Sequence, residues 1–259
     1  GDAKSEQAGT HRLPIMTMEE NKKRPKILYL HGFEENSGSP KPASLRPHVE
    51  MHVPHLGVYL THRNSPIRYM LSSPYLIGPI ILAIFLAKST LPMSNKILGC
   101  LLAGIGIVIK RREIIAAGIR GSLLKSLNIA RNALKEVKPD AVVAFSWGGC
   151  LACLLLREGS WNGPTLLLAP AYELLLQKAM LPCPLRLEPK DSQAPHKSVL
   201  LIHSEADQIV PFDASRRLAK ENAFRFHRVP SEKHALFGLA KEQVCGAGFN
   251  LLFLSIRPT

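Results

Sequence analysis

The sequence predicts an α/β fold, a mostly parallel sheet flanked by helices, with an apolar helical hairpin inserted into it. Three observations predict it. Short apolar runs recur along the chain, as expected of strands buried on both faces. A long helical pattern stands between two of them. The stretch 140–153, DAVVAFSWGGCLAC, passes from a strand through a serine and small residues directly into a helix.

At 259 residues the chain suits one large α/β domain or two small ones and can bury a sizeable core. Lys and Arg number 33 against 20 Asp and Glu, a formal charge of +13 that points to nucleic acid, an anionic membrane surface or acidic substrates. There is no RNA-binding motif or aromatic-interleaved basic stripe, and only 6% of residues are aromatic, so nucleic acid is not an expected partner. The five cysteines, Cys100, Cys150, Cys153, Cys183 and Cys245, have no disulfide-framework spacing, and a reducing compartment fits them best. Cys150 and Cys153 form a C-x-x-C inside an apolar helix, where small core residues are expected rather than redox or metal chemistry. The chain begins at Gly1 rather than Met, which leaves an upstream targeting segment open.

Residues 1–24 are polar and aperiodic, with a basic cluster at Lys22, Lys23, Arg24 and Lys26, and are expected to form a disordered leader. The run 25–30, PKILYL, is the first strand and leads into His31-Gly32-Phe33. Glycine there lets the backbone turn, so that the next N–H points where charge develops on a carbonyl oxygen. Residues 34–42 read as a Gly/Ser/Pro loop, and 49–54, VEMHVP, as a second strand. His48, His52, His55 and His62 lie close in sequence, but Pro54 interrupts them and no carboxylate partner is clear, so no metal site is expected.

The stretch 69–109 departs from this pattern. Residues 69–87 carry no charge over nineteen positions, the length at which a transmembrane helix must be considered, although Ser72, Ser73, Pro74, Gly78 and Pro79 weaken the first half. Residues 88–96 read as a polar loop, and 97–109, ILGCLLAGIGIVI, as a second apolar segment. Strands before and after the insert must share one sheet, which a single membrane crossing forbids. The insert therefore crosses twice, dips in and returns, or stays outside as a hydrophobic lid. Its outer flanks hold Arg63, Arg68, Lys110, Arg111 and Arg112, and its middle loop Lys88 and Lys96. The positive-inside rule then places the rest of the chain in the cytosol, membrane-associated; a lid would instead leave the protein cytoplasmic.

Residues 113–137 form a long amphipathic pattern, with Ile115, Ile119, Leu123, Leu127, Ala130 and Leu134 on one stripe and Pro139-Asp140 as its stop. After the strand 141–145 and helix 150–156 come a strand at 165–168, a helix at 172–180 and a proline-rich connection at 181–196. Strands follow at 198–203, SVLLIH, and 223–229, AFRFHRV, with a helical segment from Ala235 onward. The domain is expected to occupy 25–248, leaving 249–259 as a tail.

The residues that carry chemistry sit where strands end. Ser146 follows a strand and precedes Trp147-Gly148-Gly149, the layout of a nucleophile elbow: small residues two places either side, here Ala144 and Gly148, leave room for a sharp turn with the hydroxyl exposed. Asp207 lies on the loop after the strand 198–203, and His234 after the strand 223–229. An acid there can reach a histidine on a neighbouring loop. The order serine, aspartate, histidine, with His31-Gly32-Phe33 after the first strand, joins four weak signals into one pattern.

On LHGF at 30–33, AFSWGG at 144–149, HSEADQIVP at 203–211 and SEKHAL at 231–236, the chain resembles the α/β-hydrolase-fold serine hydrolases, in the compact esterase- or lipase-like form. The resemblance covers about 26–248, without the insert. Two features depart from the family pattern: Ala144 stands for the usual glycine, and the apolar pair precedes the nucleophile, whereas family lids more often follow it.

The resemblance implies acyl transfer to water, with Ser146 as nucleophile, His234 as general base, Asp207 orienting the histidine, and the backbone N–H groups of Phe33 and Trp147 as oxyanion hole. No metal or cofactor is needed. Glu205 and Asp213 read as surface charges, and His203 as a residue that shapes the acid loop. The expected substrate is a small-molecule carboxylic ester or thioester with an apolar acyl group, met near a membrane. The rival readings are a membrane-tethered, non-catalytic hydrolase-fold binding module and a membrane scaffold acting through the hairpin.

Overall fold

The computed structural model describes residues 24–33, 35, 38–47, 49–58, 62–187, 198–230 and 234. The leader up to residue 23, the helix expected from Ala235 and the tail lie outside the described residues. Six strands form one sheet: β1 (Lys26–Leu30), β2 (Glu50–His52), β3 (Ala141–Phe145), β4 (Thr165–Leu168), β5 (Val199–Ser204) and β6 (Arg225–Val229). Every pairing is parallel, in the order β2-β1-β3-β4-β5-β6. The chain steps outward from β1 to β2, then returns to the other side of β1 and continues through β3 to β6. This reversal places a crevice at the carboxyl ends of β1 and β3, where open parallel sheets bind ligands.

The apolar runs become strands because both faces of the sheet are covered. Leu28, Leu30, Val142, Ala144, Leu167 and Leu201 point to one core; Ile27, Tyr29, Val143, Phe145, Leu166, Leu200 and Ile202 alternate to the other. The first core is completed by the helices α5 (Arg111–Val137), α6 (Trp147–Arg157), α7 (Tyr172–Lys178) and α8 (Phe212–Glu221). On α5 the stripe Ile119, Leu123, Leu127, Ala130 and Leu134 faces this core as the periodicity predicts. Ile115 does not: it is exposed, and Ile114 is buried in its place.

Several boundaries differ from the sequence reading. A short helix α1 (Pro40–Leu45) begins inside the expected loop, its proline at the first helical position where no N–H is needed. The insert is three helices, α2 (Pro66–Leu71), α3 (Pro74–Lys88) and α4 (Met93–Ile109). Pro74 starts a new helix, so Tyr69 belongs to α2 and packs on α5 rather than opening the apolar segment. The polar loop shrinks to residues 89–92. The helix α8 was not anticipated.

The helix α2 lies close on α5 because the contact is made through glycine: a Cβ at Gly118 would stand 2.6 Å from the Pro66 carbonyl oxygen. The helices α3 and α4 contact each other over their lengths, and neither has a buried residue. Ile81, Phe85, Leu98, Leu101, Leu102 and Val108 are all more than half exposed. Neither helix is therefore a buried core helix of the sheet domain. Among the described residues no single helix is long and apolar enough to cross a membrane; α4 and α5 pass that test together, bent by 57° at Lys110.

Candidate active site

The strand β3 ends at Phe145, and α6 begins at Trp147, so Ser146 alone makes the turn. Its φ of 50° and ψ of −106° lie outside the regions an L-residue ordinarily takes. Such a residue costs about 1–3 kcal/mol and is held by its surroundings. The Ser146 N–H donates to the Leu168 carbonyl, and its own carbonyl accepts from Cys150 and Ala171. Gly148 must be glycine: a Cβ there would lie 1.9 Å from the Leu30 carbonyl oxygen, and its N–H donates to the His31 carbonyl at 3.1 Å. The elbow is thus pinned onto the end of β1. Ala144 sits fully buried inside β3, in register with Leu30 and Leu167, before the backbone turns.

Three side chains from distant parts of the chain meet here. His234 Nε2 lies 2.9 Å from Ser146 Oγ, and its Nδ1 lies 2.6 Å from Asp207 Oδ2. With Nδ1 donating to the carboxylate, Nε2 is left to accept the serine hydroxyl proton. Asp207 Oδ1 accepts the backbone N–H groups of Ile209 and Val210, at 2.8 and 3.0 Å. Burial alone would push the Asp207 carboxyl up. The hydrogen bonds from His203, His234 and the two amides outweigh it and hold the acid well below the usual carboxylate range.

His203 is a closer partner than the sequence suggested. It is fully buried, and its Nε2 lies 2.9 Å from the same Asp207 oxygen that His234 contacts. Glu205 and Asp213 stay outside this network, paired with Arg228 and Arg216.

Phe33 and Trp147 flank the serine, their rings 6.2 Å apart. Among the described residues neither backbone N–H has a hydrogen-bond acceptor, whereas the next one along, that of Gly148, is taken. The loop carrying Phe33 is fixed by His31, whose Nδ1 donates to the Gly32 carbonyl while Nε2 accepts from the Leu56 N–H. Burial holds the His31 imidazole below its usual range, in keeping with a neutral ring in that role.

A cleft of about 310 Å³ opens beside Ser146. Pro66 and Ile119 of the α2–α5 pair, Leu174 and Leu175 of α7, and Ile209 and Val210 of the acid loop line it, with Lys178 among them. Its walls come from widely separated segments, and no local motif in the sequence announces them. Cys150 and Cys153 lie fully buried beneath the elbow, their thiols pushed up by burial, as small core residues rather than nucleophiles.

No family model matches the sequence, and no curated protein does. Solved structures do match. TT1662 from Thermus thermophilus superposes with a TM-score of 0.54 over 92% of this chain and 91% of its own, at 14% identity. Alpha/beta hydrolase domain-containing protein 10 from mouse gives 0.51 over 90% and 92%, at 12% identity. The chain has the α/β-hydrolase fold. Identities this low carry the fold and nothing finer. Within an α/β-hydrolase fold, the elbow after β3 and the acid loop after β5 are positions set by the sheet.

Proposed function

We propose that the protein is a serine hydrolase that cleaves a carboxylic ester or thioester with an apolar acyl group at a membrane surface. The observation that carries the reading is the hydrogen-bonded relay from Ser146 through His234 to Asp207, at an elbow beside an apolar cleft. In this reading His234 Nε2 removes the Ser146 proton as Oγ attacks the acyl carbonyl. The N–H groups of Phe33 and Trp147 hold the oxyanion, a contribution of about 3–4 kcal/mol per donor in known cases. The imidazolium returns its proton to the departing alcohol or thiol, leaving an acyl ester on Ser146. Water, deprotonated by the same nitrogen, then releases the acid and restores the serine.

The membrane part of the proposal rests on the hairpin. At 1.5 Å per residue, α3 and α4 are about 22 and 25 Å long, against a hydrocarbon core of about 30 Å. Lys88 and Lys96 stand at the tip, with the Lys96 ammonium 3.2 Å from the Ala87 carbonyl, and their stems allow snorkelling to the far interface. The cationic base, Arg68, Lys110, Arg111 and Arg112, keeps the hydrolase fold on the cytosolic side.

The deciding experiment is labelling with a fluorophosphonate serine probe, parent beside Ser146→Ala. Labelling that vanishes in the variant, followed by turnover of esters of rising acyl length, supports the reading. A folded parent that takes no label would make the protein a binding module.

A further inference from the structure

The 85-residue span 51–135 holds eleven Lys and Arg and a single acid, Glu113. Most of the chain's positive excess is therefore concentrated around the insert. Several of these cations have partners. Lys110 bonds Glu113 and Arg131 pairs with Glu158, while Arg120 and Lys96 donate to the Ala179 and Ala87 carbonyls. The other seven have none among the described residues, and three of these, Arg63, Arg68 and Lys125, line one pocket of about 290 Å³ together with Asn64, Tyr69 and Ser72, where no carboxylate lies among the described lining residues. None of the three has an ion-pair partner among the described residues.

The fold brings them together. Arg63 precedes α2, Arg68 lies on it, and Lys125 comes from α5, against which α2 is held through Gly118 and Gly121. The Ser122 hydroxyl donates to the Asn64 carbonyl at 2.5 Å and fixes the rim. Ser72 stands in the turn that leads into α3. The pocket is thus built on the root of the apolar hairpin.

We propose that this pocket binds a phosphate group, supplied by the head group of an anionic phospholipid. Two guanidinium forks and an ammonium suit a phosphate's several acceptor oxygens, and the repulsion among three converging cations is relieved when an anion enters. A lipid held there has the apolar hairpin beside it for its acyl chains. The lipid source rests on the hairpin reading above; the phosphate chemistry does not.

The full-length chain is tested against vesicles of phosphatidylcholine alone or doped with phosphatidic acid, and against inorganic phosphate by calorimetry. Two triple variants accompany the parent, both at exposed positions. One carries Arg63→Gln, Arg68→Gln and Lys125→Gln; the other, Lys135→Gln, Lys138→Gln and Lys220→Gln, removes equal charge away from the hairpin. The gain in affinity on doping should fall about 100-fold in the pocket variant, at roughly fivefold per cation, and much less in the control, with binding to neutral vesicles unchanged in both. Equal losses in the two variants, or none in the pocket variant, overturn the site. Should the parent bind no vesicle, the hairpin reading fails. Saturable phosphate binding lost only in the pocket variant would then still support the pocket, and its absence in the parent would end it.

Discussion

The sheet and the hairpin are made of the same kinds of residue, and they use them in opposite ways. In β3 all five side chains are buried, and every one has a place in one of two cores. In α3 and α4, across thirty-two residues, none is buried. The apolar surface of the strands is consumed in folding, at about 1.5–3 kcal/mol for each large side chain. That of the hairpin stays exposed. Hydrophobicity alone therefore does not say which part of a chain is core; the presence of partners does.

This contrast can be broken or sharpened, beginning with the largest effect. If the chemistry belongs wholly to the sheet, Asp207→Asn should lower kcat by about 10⁴-fold through the wrong histidine tautomer. Removing residues 74–109 behind a short linker should leave turnover of a water-soluble ester within a few-fold, by steady-state kinetics. Strong loss in the deletion would tie hairpin and site together and undo the comparison. Next, Leu151→Ala, at a fully buried position under the elbow, should cost about 2–5 kcal/mol by urea denaturation.

A third test uses acid. The Asp207 carboxyl is held below its ordinary range in the folded state, so the unfolded chain takes up the proton first. Its stabilising contribution is complete above the ordinary carboxylate pKa of about 4. It is lost as the pH falls from there through the depressed folded value. Asp207→Asn should flatten the stability profile on this acid side, by urea denaturation at a series of pH values, whereas the hairpin deletion should keep the parent's profile. The smallest effect is expected in the hairpin itself. Phe85→Ala, at a residue 69% exposed, should change stability in detergent by no more than about 0.5 kcal/mol. A cost near that of Leu151→Ala would mean that the hairpin has a protein partner.

The strands were legible because burial on both faces leaves a continuous apolar run, and because each ends at a turn residue. Ser146, Asp207 and His234 were legible because an elbow, an acid loop and a histidine loop follow strands in fixed order. His203 reads in sequence as a residue that shapes the acid loop, and the bend after β5 brings its Nε2 to 2.9 Å from the Asp207 carboxylate. The helix α8 carries a readable signal, Ala214, Ser215, Leu218 and Ala219 at helical spacing. The cleft and the pocket of Arg63, Arg68 and Lys125 were out of reach, since each joins segments separated by tens of residues. Pro40 reads in sequence as part of a loop and Pro74 as a weakness in an apolar run, although at the first turn proline begins a helix.

The relay at the elbow also has a consequence in time. Ser146 and His234 are 88 residues apart along the chain, and His234 follows the last strand. A ribosome that has released β3 and α6 has therefore released Ser146 well before His234. If the proposed chemistry holds, the nascent domain stays inert toward its ester until β6 has docked and brought His234 to the serine.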